Sequence, residues 1–506
     1  MIIDGKNIKS DLNCDVTIVG AGTVGLFIAN QLKETYKKII IIEKGDFYSI
    51  KKKNFFKNIS QAHKGSSFSY TGIGGTSRIW GGQLVEFTKE DFNSCCYWGV
   101  DYNKIKNEYE EIYKIFKVNK IQSNLCLKEK NYYSSKDLKV YFSNWLPNPD
   151  FAEVFKKDIN DPNIRILTNV EAFKFEFINN FATKITIKNR LNKVFSIHSR
   201  IYILATGAVA TNQLLLTNKE LYNVPWKKNT YLGSYFQDHI GFFAAEVGLL
   251  DENKFRFFFE NGFYKGAKYQ PKLIGKYNLE NFSLGMSGEF KFFSRNKKLI
   301  FIKKKVGDFL KNKNINNLLD LIKLCPNNLI DSMDSFFHLI KNKRVLGQFD
   351  KALKFYVQSE QIPLFESKIK VSNLKNKFSN SLLNVAVDWR ISGKEFKYMN
   401  NFLTNVNKYL SKHNIAYLKL DKYPKFKNRN NFLNIRDTNH PSGGTIISNN
   451  KSNGIVDRNL KIWGTNNVYI ASSSVFPKNS FANNTLTILA FSLRLSKYLK
   501  KNRNII

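Results

Sequence analysis

Histidine is scarce in this chain, with six in 506 residues. Cysteine is scarcer. The five, Cys14, Cys95, Cys96, Cys126 and Cys325, form no C-x-x-C pair and no metal-ligand spacing. That excludes a cysteine-built metal site, and the odd number argues for free thiols in a reducing compartment. Adjacent Cys95 and Cys96 read as packing residues. No stretch of eighteen uncharged apolar residues occurs, so no spanning helix is expected. The first residues lack the basic start and apolar core of a secretion signal. Together these absences lead to the expectation of a soluble, cytoplasmic protein. Internal repeats and long disordered tracts are missing too.

Acidic residues are also few, 41 against 79 lysines and arginines, for a formal charge of +38. Such a surplus suits nucleic-acid or anionic-membrane binding. The lysines, however, scatter along the whole chain with asparagine, isoleucine, phenylalanine and tyrosine, which favours compositional drift over a function for the charge and leaves both readings open. No nucleic-acid motif of the usual kinds is visible, and no nucleic-acid partner is expected. One window differs. Residues 291–313 carry basic side chains against a single acid, Asp308, and are followed by Ile315, Leu318, Leu319 and Ile322, then Ile330, Met333, Phe337 and Ile340, at helical spacing. Two readings of 291–340 stay open: helices that cover a core with a solvated face, or peripheral contact at the inner face of an anionic membrane.

What is present begins with the first 45 residues. "DVTIV" (15–19) is an apolar strand, "GAGTVG" (20–25) follows at once, residues 26–36 have helical spacing, and "IIIIEK" (39–44) is a second buried strand. Gly20, Gly22 and Gly25 stand at G-x-G-x-x-G spacing within this βαβ start, with Ala21 and Thr23 between them. Gly20 permits the sharp turn, Gly22 admits a pyrophosphate, and Gly25 lets helix and strand pack closely. The helix N-terminus offers unpaired N–H groups to phosphate. Glu43, at the next strand end, is placed to accept from ribose hydroxyls. Dinucleotide binding is the expectation.

A second glycine-dense stretch, "TGIGGTSRIWGGQ" (71–83), suggests backbone running against something flat or anionic; its candidates are Gly74, Gly75, Thr76 and Ser77. The runs 164–170 and 201–208 read as strands. They supply Val170 and the small residues Ala205, Thr206 and Gly207. From about 250 to 430 glycine thins out and aromatics and lysines dominate. The last 75 residues return to glycine-punctuated strands and a final helix. The expected organisation is a discontinuous nucleotide-binding domain, 1–250 and 431–506, with a substrate domain at 251–430.

The same opening motif serves nicotinamide and flavin. No second G-x-G-x-x-G is present, so an NAD(P)H site feeding a bound flavin has no support. The tail is more specific. "HPSGGT" (440–445), "GIVDRNLKIWGTNNVYIASSSVFP" (454–477) and "FANNTLTILAFSLRLSKYL" (481–499) resemble the C-terminal signature of the glucose–methanol–choline (GMC) oxidoreductases. "DVTIVGAGTVG", "GGTSRIWGG", "ILATGA" and "GSYFQDH" (233–239) fall in that family's order. The loop and "SSSVFP" look nearest to its pyranose-oxidase and sugar-dehydrogenase side. The resemblance covers both ends of the chain and is weak in the middle.

It implies an α/β fold, with a Rossmann-like FAD-binding domain and a substrate domain built on an antiparallel sheet with helices. It also implies oxidation of a CH–OH group on an alcohol or sugar, with an unknown electron acceptor. His440 would take the hydroxyl proton, a role that suits a neutral imidazole, while hydride moves to flavin N5. Asn483 would bond the substrate oxygen. Asn484 stands where the family usually has proline, and Ser472, next to Ser473, stands where many relatives have aspartate. From about Thr485 a helix would turn its positive end toward the flavin. Ile79 occupies the position at which some members carry a flavin-tethering histidine, so FAD is expected to be non-covalent. His239 is expected to stabilise a corner. Trp80 and Phe481 are expected either to wall the substrate pocket or simply to pack. The alternatives are an NAD-dependent dehydrogenase on the same start, or a catalytically lapsed basic flavoprotein that binds a membrane surface or a polyanion.

Overall fold

Strands flanked by helices on both faces need apolar residues at consecutive positions, since neither face meets water. Ile39–Ile42 and the end of Leu12–Val19 meet that need: Ile39, Ile40, Ile41, Ile42, Val16, Ile18 and Val19 are all buried. The structure, a computed structural model, describes residues 1–47, 51–54, 56–58, 68–93, 96–118, 138–264, 267–279, 282–294, 338, 341, 344–347, 349–376, 379–420 and 435–504. Cys95, Cys126, Cys325 and residues 295–337 of the basic window lie outside these.

Among the described residues the first sheet has eight strands, in the order Ile2–Asp4, Ile164–Thr168, Ile39–Ile42, Leu12–Val19, Val194–Leu204, Phe181–Asn189 and Val170–Ile178, with Val468–Ile470 also on Val194–Leu204. Pairing is parallel from Ile2–Asp4 to Val194–Leu204, and Val468–Ile470 adds to it in parallel through Leu204↔Ile470. The tail therefore completes the N-terminal sheet. The helix Thr23–Leu32 follows the first glycine loop and packs on the last helix, Asn484–Lys501. It starts three residues before the periodic run at 26, because Gly22 is already its N-cap.

A second eight-stranded sheet is antiparallel, in the order Ala416–Lys419, Ile240–Leu249, Ala352–Ser359, Phe282–Phe293, Ala267–Leu279, Lys139–Trp145 and Gln83–Leu84, with Gly262–Tyr264 paired on Ala267–Leu279. Three of these strands, at 83–84, 139–145 and 240–249, come from the part of the chain expected in the nucleotide segment. The helix Glu395–Lys412 packs on this sheet through a stripe of Met399, Phe402, Val406 and Leu410. No helix among the described residues is long and apolar enough to cross a membrane.

Buried charge ties the tail to the second sheet. Lys478 Nζ, fully buried, pairs with Glu360 at 2.9 Å and Asp91 at 3.7 Å and donates to the Ser283 carbonyl at 2.7 Å. Ser480 Oγ donates to Asp91 at 2.9 Å, and the Phe481 amide donates to Glu360 at 3.0 Å. This clamp fixes the segment that enters the last helix. Removing one member strands the others without water, so Lys478→Met is expected to cost about 3–5 kcal/mol. The check is chemical denaturation of the variant beside the wild type; equal stability would contradict the clamp.

Candidate functional site

The glycine loop is built by close approach. Gly20 sits at φ +104°, and a Cβ there would lie 2.7 Å from the Ala205 carbonyl oxygen. At Gly25 a Cβ would lie 1.9 Å from the Gly20 carbonyl oxygen, so only glycine lets helix meet strand. Gly22 is different: a Cβ there meets nothing within 4 Å. The same holds at Gly207, which sits at φ +78°. Both openings face a cavity of about 1030 Å³.

That cavity runs from the glycine loop to His440. Its walls include Gly20, Gly22, Thr23, Glu43, Gly75, Thr76, Val170, Ala205, Thr206, Gly207, Ser472, Ser473, Asn484 and Thr485 from the residues expected to bind cofactor. Ile79 and Trp80 line it too. Four expected cofactor residues, Ala21, Gly25, Gly74 and Ser77, act behind the wall instead. Ala21 accepts the Gly74 amide at 2.8 Å. Ser77 Oγ donates to Gly74 O at 2.6 Å and accepts the Phe151 amide at 3.0 Å. Those atoms are taken up by loop closure, so these four shape the site without facing it.

Glu43 does more than its position suggested. Its Oε1 accepts from the Gly45 and Gly72 amides at 2.7 and 2.9 Å, and its Oε2 accepts from the Ala21 amide at 3.0 Å. The carboxylate thus staples three loops together. A carboxylate has about four acceptor positions, so Oε2 keeps one for a hydroxyl in the cavity.

At the other end stands the corner 439–445. Gly443 and Gly444 have φ of +77° and +93°, and their Cβ atoms would strike Tyr235 O at 1.9 Å and the Asn212 amide at 2.3 Å. Glycine is therefore required on both geometric and steric grounds. The corner places His440 beside Asp238, His239 and Thr438. Asp238 Oδ1 accepts from the amides of His239 at 2.7 Å, Thr438 at 3.2 Å and His440 at 3.2 Å. His440 Nδ1 lies 2.8 Å from Thr438 Oγ1, and the His239 and His440 rings stand 5.1 Å apart.

Burial, with the Lys272 ammonium adding to it, lowers the His440 pKa to about 4. The ring is neutral at neutral pH, as a proton acceptor must be. Burial, then the neighbouring His440, also holds His239 well below its ordinary value. Burial, with Asp437 beside it, raises Asp238 well above the usual carboxylate range despite its three amide donors.

Asn483 caps the last helix and is half-buried. Its Nδ2 donates to Gln83 at 3.4 Å and its Oδ1 accepts from Gln358 at 3.3 Å. These partners belong to the antiparallel sheet side. Its neighbour Asn484 forms the cavity wall and donates from Nδ2 to the His440 carbonyl at 2.9 Å. The corner and the helix start therefore meet, through residue 484. Phe481 is buried by packing and stands outside the cavity wall, whereas Trp80 is part of it.

Several residues here escaped sequence reasoning. Thr438 and Lys272 carry no motif, Asp238 lies in "GSYFQDH" without a role assigned to it, and His239 is expected only to stabilise a corner. The adjacent pair "DH" at the start of a strand was the one available signal.

Three observations fit a bound dinucleotide. Two glycine positions open into free space, Glu43 keeps an acceptor, and Asn484 Oδ1 is buried without a donor among the described residues. A cleft beside a parallel α/β sheet, joined to an antiparallel sheet and carrying a neutral imidazole on its wall, fits a dinucleotide-dependent oxidoreductase.

Comparison with known proteins narrows this class. Residues 366–492 match the family model described as GMC oxidoreductase. The fold is that of the GMC enzymes throughout. The structure of pyridoxine 4-oxidase from Mesorbium loti is similar over 96% of this chain and 99% of that one, with TM-score 0.58 and 11% identity. An R554K variant of Aspergillus oryzae RIB40 formate oxidase is similar over 98% and 100%, with TM-score 0.60 and 14% identity. No curated protein matches the sequence. At 11% and 14% identity these two likenesses are likenesses of fold.

Proposed function

We propose that the protein oxidises the CH–OH group of a small-molecule alcohol, with a sugar or glycoside as the substrate class, and that His440 is the base. One observation carries this reading: a neutral imidazole, its pKa near 4, on the wall of the same cavity that the glycine loop opens into. An alcohol becomes a good hydride donor only as its proton leaves, and a positioned base contributes about 10²–10⁴-fold in rate. Bound FAD supplies the hydride acceptor. His440 takes the hydroxyl proton at Nε2, since its Nδ1 is engaged by Thr438. Asn483 stands outside the cavity wall, with its amide on Gln83 and Gln358, so its proposed bond to the substrate oxygen rests on the family resemblance. Gly22, Thr23 and Gly75 would surround the phosphates, and Glu43 would take a ribose hydroxyl. The positive end of the helix from Asn484 is turned toward the cavity and favours negative charge there.

The sugar assignment rests on the resemblance of "GGTSRIWGG" and "SSSVFP" and on the polar wall near His440, where Arg436, Asp437, Thr438 and Gln213 suit a polyhydroxyl ligand. The test is anaerobic mixing of the yellow protein with sugars, glycosides, pyridoxine and formate. Loss of flavin absorbance with a sugar supports the assignment. Bleaching by a non-sugar alcohol alone removes the sugar, and no bleaching by any alcohol removes the base.

FAD is proposed to be held without a covalent bond, because Ile79 occupies the loop position of a tethering histidine. Acid precipitation is expected to release the chromophore into the supernatant. Colour remaining in the pellet would contradict this.

A further inference from the structure

His440 and His239 reach the same hydroxyl. Thr438 Oγ1 lies 2.8 Å from Nδ1 of His440 and 3.1 Å from Nδ1 of His239. A hydroxyl has one proton to donate. It can be given to only one of the two rings. For both contacts to be hydrogen bonds, the other ring must give its own Nδ1 proton to the oxygen. The third neighbour is Asp238 Oδ1, at 3.4 Å. It is the most distant of the three, and it already accepts from three backbone amides. Should Thr438 instead donate to Asp238, both rings give their Nδ1 protons to the two lone pairs of the Thr438 oxygen and His440 keeps its Nε2 lone pair. What matters is therefore whether the hydroxyl proton goes to His440.

The two arrangements differ in chemistry. If Thr438 donates to His440, that ring is protonated on Nε2 and has no lone pair for a substrate proton. If Thr438 donates to His239, His440 gives its Nδ1 proton to Thr438 and keeps the Nε2 lone pair. His239 then carries its own proton on Nε2. That buried nitrogen makes no hydrogen bond among the described residues.

We propose that Thr438 is a positioning residue that sets the tautomer of His440, taking its Nδ1 proton and passing the hydroxyl proton to Nδ1 of His239. This rests on His440 as the base. The three side chains form a directed chain from His440 through Thr438 to His239. Its direction keeps the Nε2 lone pair available.

The test uses the FAD-loaded protein labelled with ¹⁵N in histidine. With only six histidines, the His440 signals are assigned by their loss in His440→Gln. Thr438→Val keeps the shape and removes the hydroxyl, and Thr438→Ser restores it. Wild type and Thr438→Ser are expected to carry the His440 proton on Nδ1. Thr438→Val is expected to move it to Nε2 in a large share of molecules. Its kcat is expected to fall about 10- to 100-fold with KM little changed, and Thr438→Ser to recover most of that loss. A native Nδ1-protonated His440 in Thr438→Val overturns the inference, as does a Thr438→Ser protein as impaired as the valine variant. Full turnover in His440→Gln would sink the base itself while the tautomer measurement still judges Thr438, so the two failures are distinguishable.

Discussion

Replacing His440 by alanine is expected to lower kcat by about 10²–10⁴-fold, with FAD content unchanged. The size follows from the role. No other side chain near the corner is as well suited to take the proton. His239 is fully buried and shares its Nδ1 contact with Thr438. Asp238 is held by backbone amides of its own corner. The cofactor is expected to stay because its contacts lie elsewhere, at the glycine loop, Glu43 and the 71–83 stretch. The measurement is steady-state turnover beside the flavin-to-protein absorbance ratio. A variant with near-native kcat would remove His440 from the chemistry. One that lost its flavin would show a structural residue instead.

Two glycines three residues apart are expected to fail in opposite ways. Gly22 has φ −80°, an ordinary value, and a Cβ there meets nothing. Gly22 is also the N-cap of Thr23–Leu32, where aspartate is among the preferred residues. Gly22→Asp is therefore expected to fold with native or slightly raised Tm. It puts a negative charge where the pyrophosphate goes, and FAD binding is expected to weaken on the order of 100-fold. Gly25→Ala puts a methyl group 1.9 Å from the Gly20 carbonyl oxygen. Backbone must move, so it is expected to lose stability and FAD together, by about 1–3 kcal/mol or more in stability. Denaturation of the two apoproteins with FAD titration separates them. A Gly22→Asp protein that binds FAD normally would place the phosphates elsewhere.

The contrast also shows what can be read without coordinates. The βαβ start was legible because its signals are local: glycine spacing, a strand buried on both faces, a helix directly after. The return of the tail to the first sheet was legible through the family resemblance, and Leu204↔Ile470 pairing realises it. The finer site was hidden by distance along the chain. His239 and His440 are 201 residues apart, yet their rings stand 5.1 Å from each other. Glu43 reads as a ribose acceptor from its strand end, but its bond to the Gly72 amide spans 29 residues and has no sequence signal. The strands at 83–84 and 139–145 look like parts of the nucleotide segment, and only sheet pairing assigns them to the antiparallel layer. Position 484 shows a smaller failure. Its missing proline was legible, but not that the asparagine amide would bond the His440 carbonyl.

The most direct test is the pH dependence of the anaerobic reduction rate, followed by rapid mixing with a reactive alcohol. A base with an ordinary imidazole pKa loses activity below about pH 6.5. His440 is held near 4 by burial and Lys272, so its neutral form persists to lower pH. The rate is expected to hold down to about pH 5 and to fall through a single ionisation near 4, and that fall should vanish in His440→Gln. A limb near 6.5 that survives in the variant would assign proton removal to another group and contradict the account.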